Sequence, residues 1–151
     1  MNQERERSGE APRLAAFHTL CDVDRGEFAD HAASRRLSGL RPDDRGLALE
    51  LAYGSIRLRS RLDAELGLLL DRPIRRLDPR VLQWRRRGLY QMRETRGPDQ
   101  AAVDQTVEGL KRTVGPKVSG LANAVLRRAA REGPQATAFP DADADPEGYL
   151  A

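Results

Sequence analysis

The stretch 119–133, SGLANAVLRRAAREG, sets an amide and paired guanidiniums into an apolar helical period. At 100° per residue, Leu121, Ala122, Val125, Leu126 and Ala129 share one face, and Asn123 and Arg127 lie side by side at its border. Arg128 falls near the opposite border. An amide next to a guanidinium can grip a phosphate or a base edge. The same amide can also bridge to a backbone carbonyl of a neighbouring helix, as a partly buried amide requires; the two roles are compatible. A second basic group, Arg85-Arg86-Arg87, sits in a helix whose inward stripe is Val81, Gly88, Leu89 and Met92. Arg85 falls inside that stripe, where an uncompensated guanidinium is costly. It can snorkel out along a shallow stripe, meet a carboxylate such as Glu50 or Glu108, or belong to a binding surface; snorkelling ranks first.

Bond-making chemistry has little support. Cys21 stands alone on an apolar helical face and reads as a core residue rather than a nucleophile. His18 and His31 have no metal-ligand spacing to each other or to Cys21. There is no strand followed by a phosphate-cradling glycine loop, and no GxSxG elbow. No catalysis, no resident cofactor and no metal are expected from this chain alone.

The elements that carry these residues read as helices throughout. Pro12 fits the first turn of a helix with Leu14, Phe17, Leu20 and Cys21 at helical spacing. A short helix follows, with Phe28, Ala32, Ala33 and Leu37 inward and Gly39 after it. Pro42 with Asp43 and Asp44 opens a third, apolar on two faces and therefore read as the central helix. Its Gly54 implies a close helix crossing, while Glu50 and Arg57 project from a polar face. Leu62, Leu66, Leu69 and Leu70 make a fourth, stopped before Pro73. Asp78-Pro79 starts the arginine-bearing fifth, Gly97-Pro98 precedes the sixth, and Gly115-Pro116 the seventh. No segment shows period-two alternation, so the expected fold is all-α, a compact bundle of about seven helices. Residues 1–11 read as a disordered N-terminus, 12–132 as the helical domain and 133–151 as an acidic, linker-like tail. Such a tail implies either a piece of something longer or a segment that docks on a partner.

Charge is unevenly spread along the 151 residues. The tail from 135 onward carries Asp141, Asp143, Asp145 and Glu147 and no Lys or Arg, leaving 26 basic against 19 acidic residues in 1–134. A basic body suggests a polyanionic partner, although an arginine-rich surface also follows from GC-rich coding. No apolar run approaches the ~18 residues that would span a membrane, and the N-terminus lacks a signal peptide's apolar middle. With a single cysteine, a cytoplasmic protein is expected.

Four stretches taken together, DDRGLALELAYGSIR, RGLYQM, AAVDQTVEGLKR and VSGLANAVLRR, occur in a familiar order and spacing. Over residues 12–132 the chain resembles the NusB-like RNA-binding domain that begins the RsmB (Sun) family of ribosomal RNA cytosine 5-methyltransferases. The NusB antitermination factors share a looser version of the last three stretches. The resemblance implies an all-helical fold of two packed subdomains and RNA as ligand, held by basic residues at the N-terminus and along helix edges. Arg13, Arg57, Arg86, Lys117, Asn123, Arg127 and Arg128 are the candidate contacts. It implies also that the tail is a connector to a methyltransferase domain or subunit, which would bring the S-adenosylmethionine site and two catalytic cysteines; Cys21 matches neither. The alternative implied is a free-standing antitermination factor that binds nascent RNA with a ribosomal protein. A third class, a protein-interaction module without RNA, would bind its partner independently of salt. The family usually has apolar residues where Arg85 and Arg87 stand, and often a histidine where this chain has Gln100. Its N-terminal basic cluster is diluted here by Glu4, Glu6 and Glu10, leaving Arg13 as the best-matched contact there.

Overall fold

The computed structural model describes residues 2–134, of which 2–9 are described by their backbone alone. The tail from 135 onward lies outside the described residues. Seven α-helices follow one another: α1 (Asn2–Asp24), α2 (Ala29–Leu37), α3 (Pro42–Arg57), α4 (Arg59–Leu69), α5 (Pro79–Glu94), α6 (Asp99–Thr113) and α7 (Pro116–Glu132). A single 3-10 turn, Ile74–Arg76, links α4 to α5. Among the described residues there is no strand, and no helix is long and apolar enough to cross a membrane.

The local start signals set the helix boundaries. Asp78 caps α5 by accepting the Arg80 backbone N–H at 2.8 Å, with Pro79 in the first turn. Pro42 begins α3, and Asp43 and Asp44 sit in its first turn, where the helix dipole favours carboxylates. Gly115, with φ of 144°, adopts backbone that other residues rarely take, and Pro116 starts α7 directly after it. Pro12 lies inside α1 rather than at its first turn. The helix therefore takes in residues 2–11, assigned to disorder above; Gln, Glu and Arg dominate there and are good helix formers.

α5, not α3, is the central helix. It packs against α1, α3, α4, α6 and α7, and every residue from Val81 to Met92 is buried. The α3–α5 crossing is close, as Gly54 implies: a Cβ at that position would overlap the Tyr90 ring. A Cβ at Gly109 of α6 would likewise run into Trp84, which stacks on Phe17 of α1 at 4.6 Å between centroids and donates its indole N–H to Thr113 Oγ1 at 2.8 Å. Cys21 joins the cluster of Phe17, Trp84, Leu110 and Ala122. A larger apolar cluster, centred on Leu51, Leu66, Leu89, Val103 and Leu126, joins α3, α4, α5, α6 and α7. Phe28 and Leu121, both expected inward, point out. Phe28 precedes α2 as its N-cap and is 85% exposed, and Leu121 is 57% exposed, because α7 buries Ser119, Ala122, Val125, Leu126 and Ala129 instead.

Candidate nucleic-acid interface

The buried stripe of α7 leaves its opposite side to solvent. Lys117, Gly120, Ala124, Arg127 and Arg131 all lie on that exposed side. Arg128, at its edge, is half-exposed and held: its Nε donates to Glu132 Oε1 at 2.7 Å, and its Nη1 reaches the Leu69 carbonyl at 3.4 Å. Lys117, Arg127 and Arg131 form no ion pair with a described residue. Arg131 is absent from the sequence-derived set although it lies one turn beyond Arg127, and that i+4 spacing was the signal that could have found it. Between the cations stand Gly120 and Ala124, whose small side chains leave room for a polyanion to approach the helix surface. This face offers charge and directional N–H donors, which can bind phosphates.

Asn123 is half-buried on the flank of this face. No hydrogen bond joins its amide to another described residue, so the structure shows no bridge to a backbone carbonyl. Its carboxamide is a donor and acceptor next to Arg127.

The remaining candidates are dispersed. Arg57 ends α3 and is exposed. Arg13 is half-buried on α1, where its Nε donates to Gln91 Oε1 at 3.2 Å, and burial lowers its pKa. Arg86 is not a surface contact at all. It is 4% exposed, and its Nε and Nη2 grip both oxygens of Asp63 at 2.6 and 2.7 Å. Its bidentate fork is consumed by a carboxylate of α4, which removes it from the candidate set.

The arginine triplet is structural throughout. Arg85 does not snorkel and meets neither Glu50 nor Glu108: it is 1% exposed, and its Nε and Nη1 have no hydrogen-bond partner. Packed helices surround α5 and cover the Arg85 side chain almost whole. Burial lowers its pKa. Arg87 is fully buried; its Nη1 donates to Gln91 Oε1 at 2.7 Å and its Nη2 to Thr106 Oγ1 at 3.1 Å, with the guanidinium 5.3 Å from the Trp84 ring centroid. Among the described residues no carboxylate pairs with it. Gln91 Oε1 thus accepts from both Arg13 and Arg87, while Gln91 Nε2 donates to Gln105 Oε1 at 2.6 Å.

Burial pushes the Cys21 thiol up to about 11, which keeps it protonated and poorly nucleophilic near neutral pH. Among the described residues no group of three or more His, Cys, Asp or Glu side chains could hold a metal ion.

The model of the NusB family matches residues 10–131. The ribosomal RNA small subunit methyltransferase B of Vibrio vulnificus is 39% identical over 121 residues, covering 80% of this chain and 28% of the relative. The protein of the same name from Thermus thermophilus is 42% identical over 127 residues, covering 82% and 31%. A putative methyltransferase of Mycobacterium tuberculosis is 35% identical over 153 residues, covering 97% of this chain and 34% of its own length. The chain thus spans about a third or less of the curated relatives it matches. Among solved structures, NusB of T. maritima superposes with a TM-score of 0.76 at 21% identity, covering 85% of this chain and 94% of that one. The antitermination factors NusB and NusE in complex with dsRNA give 0.74 at 20% identity, covering 84% and 98%.

Proposed function

The chain belongs to the NusB family, and from that premise we propose that it is a non-catalytic RNA-binding module whose contact face is the exposed side of α7. The observation that carries this reading is the set of cations there, Lys117, Arg127 and Arg131, none of them spent on a carboxylate among the described residues. Each can neutralise a phosphate, and the arginine forks add geometry to charge. Asn123, on the flank, supplies a polar group that can read a base edge or fix a phosphate. Arg128 joins the face if its bond to Glu132 yields.

The relatives' names favour ribosomal RNA as the ligand, delivered to a methyltransferase domain, which the family resemblance makes a cytosine 5-methyltransferase. That domain, in the same polypeptide or as a separate subunit, would bring S-adenosylmethionine and the bond-making residues; this module would capture and orient the RNA. The solved complex of NusB with NusE and dsRNA favours a second reading: an antitermination factor that binds a nascent transcript together with a ribosomal protein. The two separate on ligand preference. Delivery predicts selectivity for a small-subunit ribosomal RNA fragment, whereas antitermination predicts selectivity for a boxA-type RNA that strengthens when the ribosomal protein is added.

Titrating a single-stranded RNA against the full chain and a Lys117→Gln/Arg127→Gln/Arg131→Gln variant tests the face. The variant should bind about 10- to 100-fold more weakly near 0.1 M salt, and the slope of log affinity against log salt should shrink by about 2. Its thermal midpoint should hold, since all three residues are exposed. Equal affinity in the two proteins would remove α7 from the interface.

Asn123→Leu gives a finer test. No hydrogen bond is lost within the fold, so stability should change by no more than about 0.5 kcal/mol, while RNA affinity falls by about 3- to 30-fold. A large drop in thermal midpoint would show that the amide has a packing role after all.

A further inference from the structure

The face just described has a complementary segment in the same chain. Downstream of α7, outside the described residues, the sequence reads DADADPE at 141–147 and places Asp141, Asp143, Asp145 and Glu147 at alternate positions. From 135 onward there is no Lys or Arg to neutralise them. We propose that segment 141–147 docks on the exposed face of α7 and competes there with RNA. This rests on the RNA-binding reading of that face, and concerns its regulation.

Three features support the fit. The first is charge. The exposed side of α7 carries Lys117, Arg127 and Arg131 unpaired among the described residues, and the only glutamate near its end, Glu132, is already bonded to Arg128. The second is spacing. Residues two apart in an extended chain lie about 6.6 Å apart on one side, and Arg127 and Arg131, four apart on a helix, rise by about 6 Å. Alternate carboxylates can therefore follow successive arginines in register, as phosphates of a nucleic acid strand would. The third is reach. α7 ends at Glu132, and its C-cap Gly133, with a φ of 70°, lets the chain leave the helix axis. The eight residues from there to Asp141 can extend to about 26 Å, which matches the roughly 25 Å length of a 17-residue helix. The whole face, out to Lys117, lies within the tether.

A tethered segment acts at an effective concentration in the millimolar range. Contacts that are individually weak then suffice to screen out loosely bound RNA, while an RNA with more phosphate contacts displaces the segment. The effect is a filter on affinity, and salt should abolish it.

Two measurements on the full chain test the idea. In the first, Asp141→Asn/Asp143→Asn/Asp145→Asn/Glu147→Gln is compared with the unmodified chain in binding single-stranded RNA. The neutralised chain should bind on the order of tenfold more tightly at low salt, and the gain should vanish at about 0.5 M salt. It should vanish also in the Lys117→Gln/Arg127→Gln/Arg131→Gln background. The second measurement needs no RNA. The chain has only two lysines, Lys111 and Lys117, so a zero-length carbodiimide should join Lys117 to a carboxylate of 141–147, detected by mass spectrometry of the digest and suppressed by salt. If the chain binds RNA and the neutralised tail leaves affinity unchanged, or if no such cross-link forms, the proposal is wrong. If the cross-link forms but neither chain binds RNA, docking stands, and both the competition and the RNA-binding reading of α7 fall.

Discussion

Arg93→Met is expected to destabilise the fold by about 3–5 kcal/mol, lowering the thermal midpoint by roughly 10–20 °C. The cause is the carboxylate left behind. The Glu65 side chain on α4 is 3% exposed, and Arg93 is its ion-pair partner. Arg93 Nε donates to Glu65 Oε1 at 2.9 Å, and Nη2 reaches the same oxygen. Nη2 also donates to the Ala129 carbonyl of α7 at 2.8 Å, so one guanidinium ties α4, α5 and α7 together. Ala129 keeps a second partner, the Gly133 N–H at 3.1 Å, and most of the loss therefore comes from Glu65. A buried carboxylate deprived of its counterion costs far more than the pair was worth relative to apolar side chains. The double variant Glu65→Gln/Arg93→Met should consequently recover most of the lost stability. A single-variant loss below about 1 kcal/mol would mean that water reaches Glu65 in the folded state, and the argument for a dry pair would fail.

That pair also shows which features the sequence exposes and which it hides. Helix starts depend on neighbours within three or four residues, so Asp78-Pro79, Pro42 with its two aspartates, and Gly115-Pro116 can be read directly. The side of α7 that faces water is legible for the same reason: Arg127 stands off the stripe of Ala122, Val125 and Ala129. Burial in α5 is a different matter. Arg86 and Arg87 look like surface because arginine usually is, Arg85 reads as snorkelling out of the inward stripe, and the helix is buried only because five others surround it. The partner of Arg86 is Asp63, 23 residues earlier, and no local pattern connects the two. Arg86 therefore passed for a contact when it is a tie between α4 and α5. Leu121 erred in the opposite direction. It sits at the edge of the apolar arc, and which edge is covered depends on how α6 lies against α7, a tertiary fact.

The second large effect has the opposite sign and sits on the same helix. Arg87→Met should stabilise the chain by about 1–3 kcal/mol, raising the thermal midpoint by roughly 3–10 °C. Arg87 and Arg93 differ in what each leaves behind. Removing Arg87 orphans nothing: Gln91 Oε1 still accepts from Arg13, and Thr106 Oγ1 still donates to the Ala102 carbonyl at 2.8 Å. What disappears is a charge with no carboxylate, whose Nε lacks any partner, together with its repulsion of Arg13. The contact with the Trp84 ring is lost too, at about 0.5–2 kcal/mol, but an unbranched apolar side chain refills that space against the indole.

Alkaline pH offers a check on the cause. Burial pushes the Arg87 guanidinium down to about 9, well below its ordinary value. For a base whose folded-state pKa is depressed, the penalty is fully present below that pKa and is relieved as pH rises through it. The advantage of Arg87→Met should accordingly be constant at neutral pH and narrow above pH ~9, as measured by chemical denaturation of both proteins. A variant less stable than the unmodified chain at pH 7 would show that the bonds to Gln91 and Thr106 outweigh the desolvation of the charge. In that case a guanidinium without a counterion would be holding this core together.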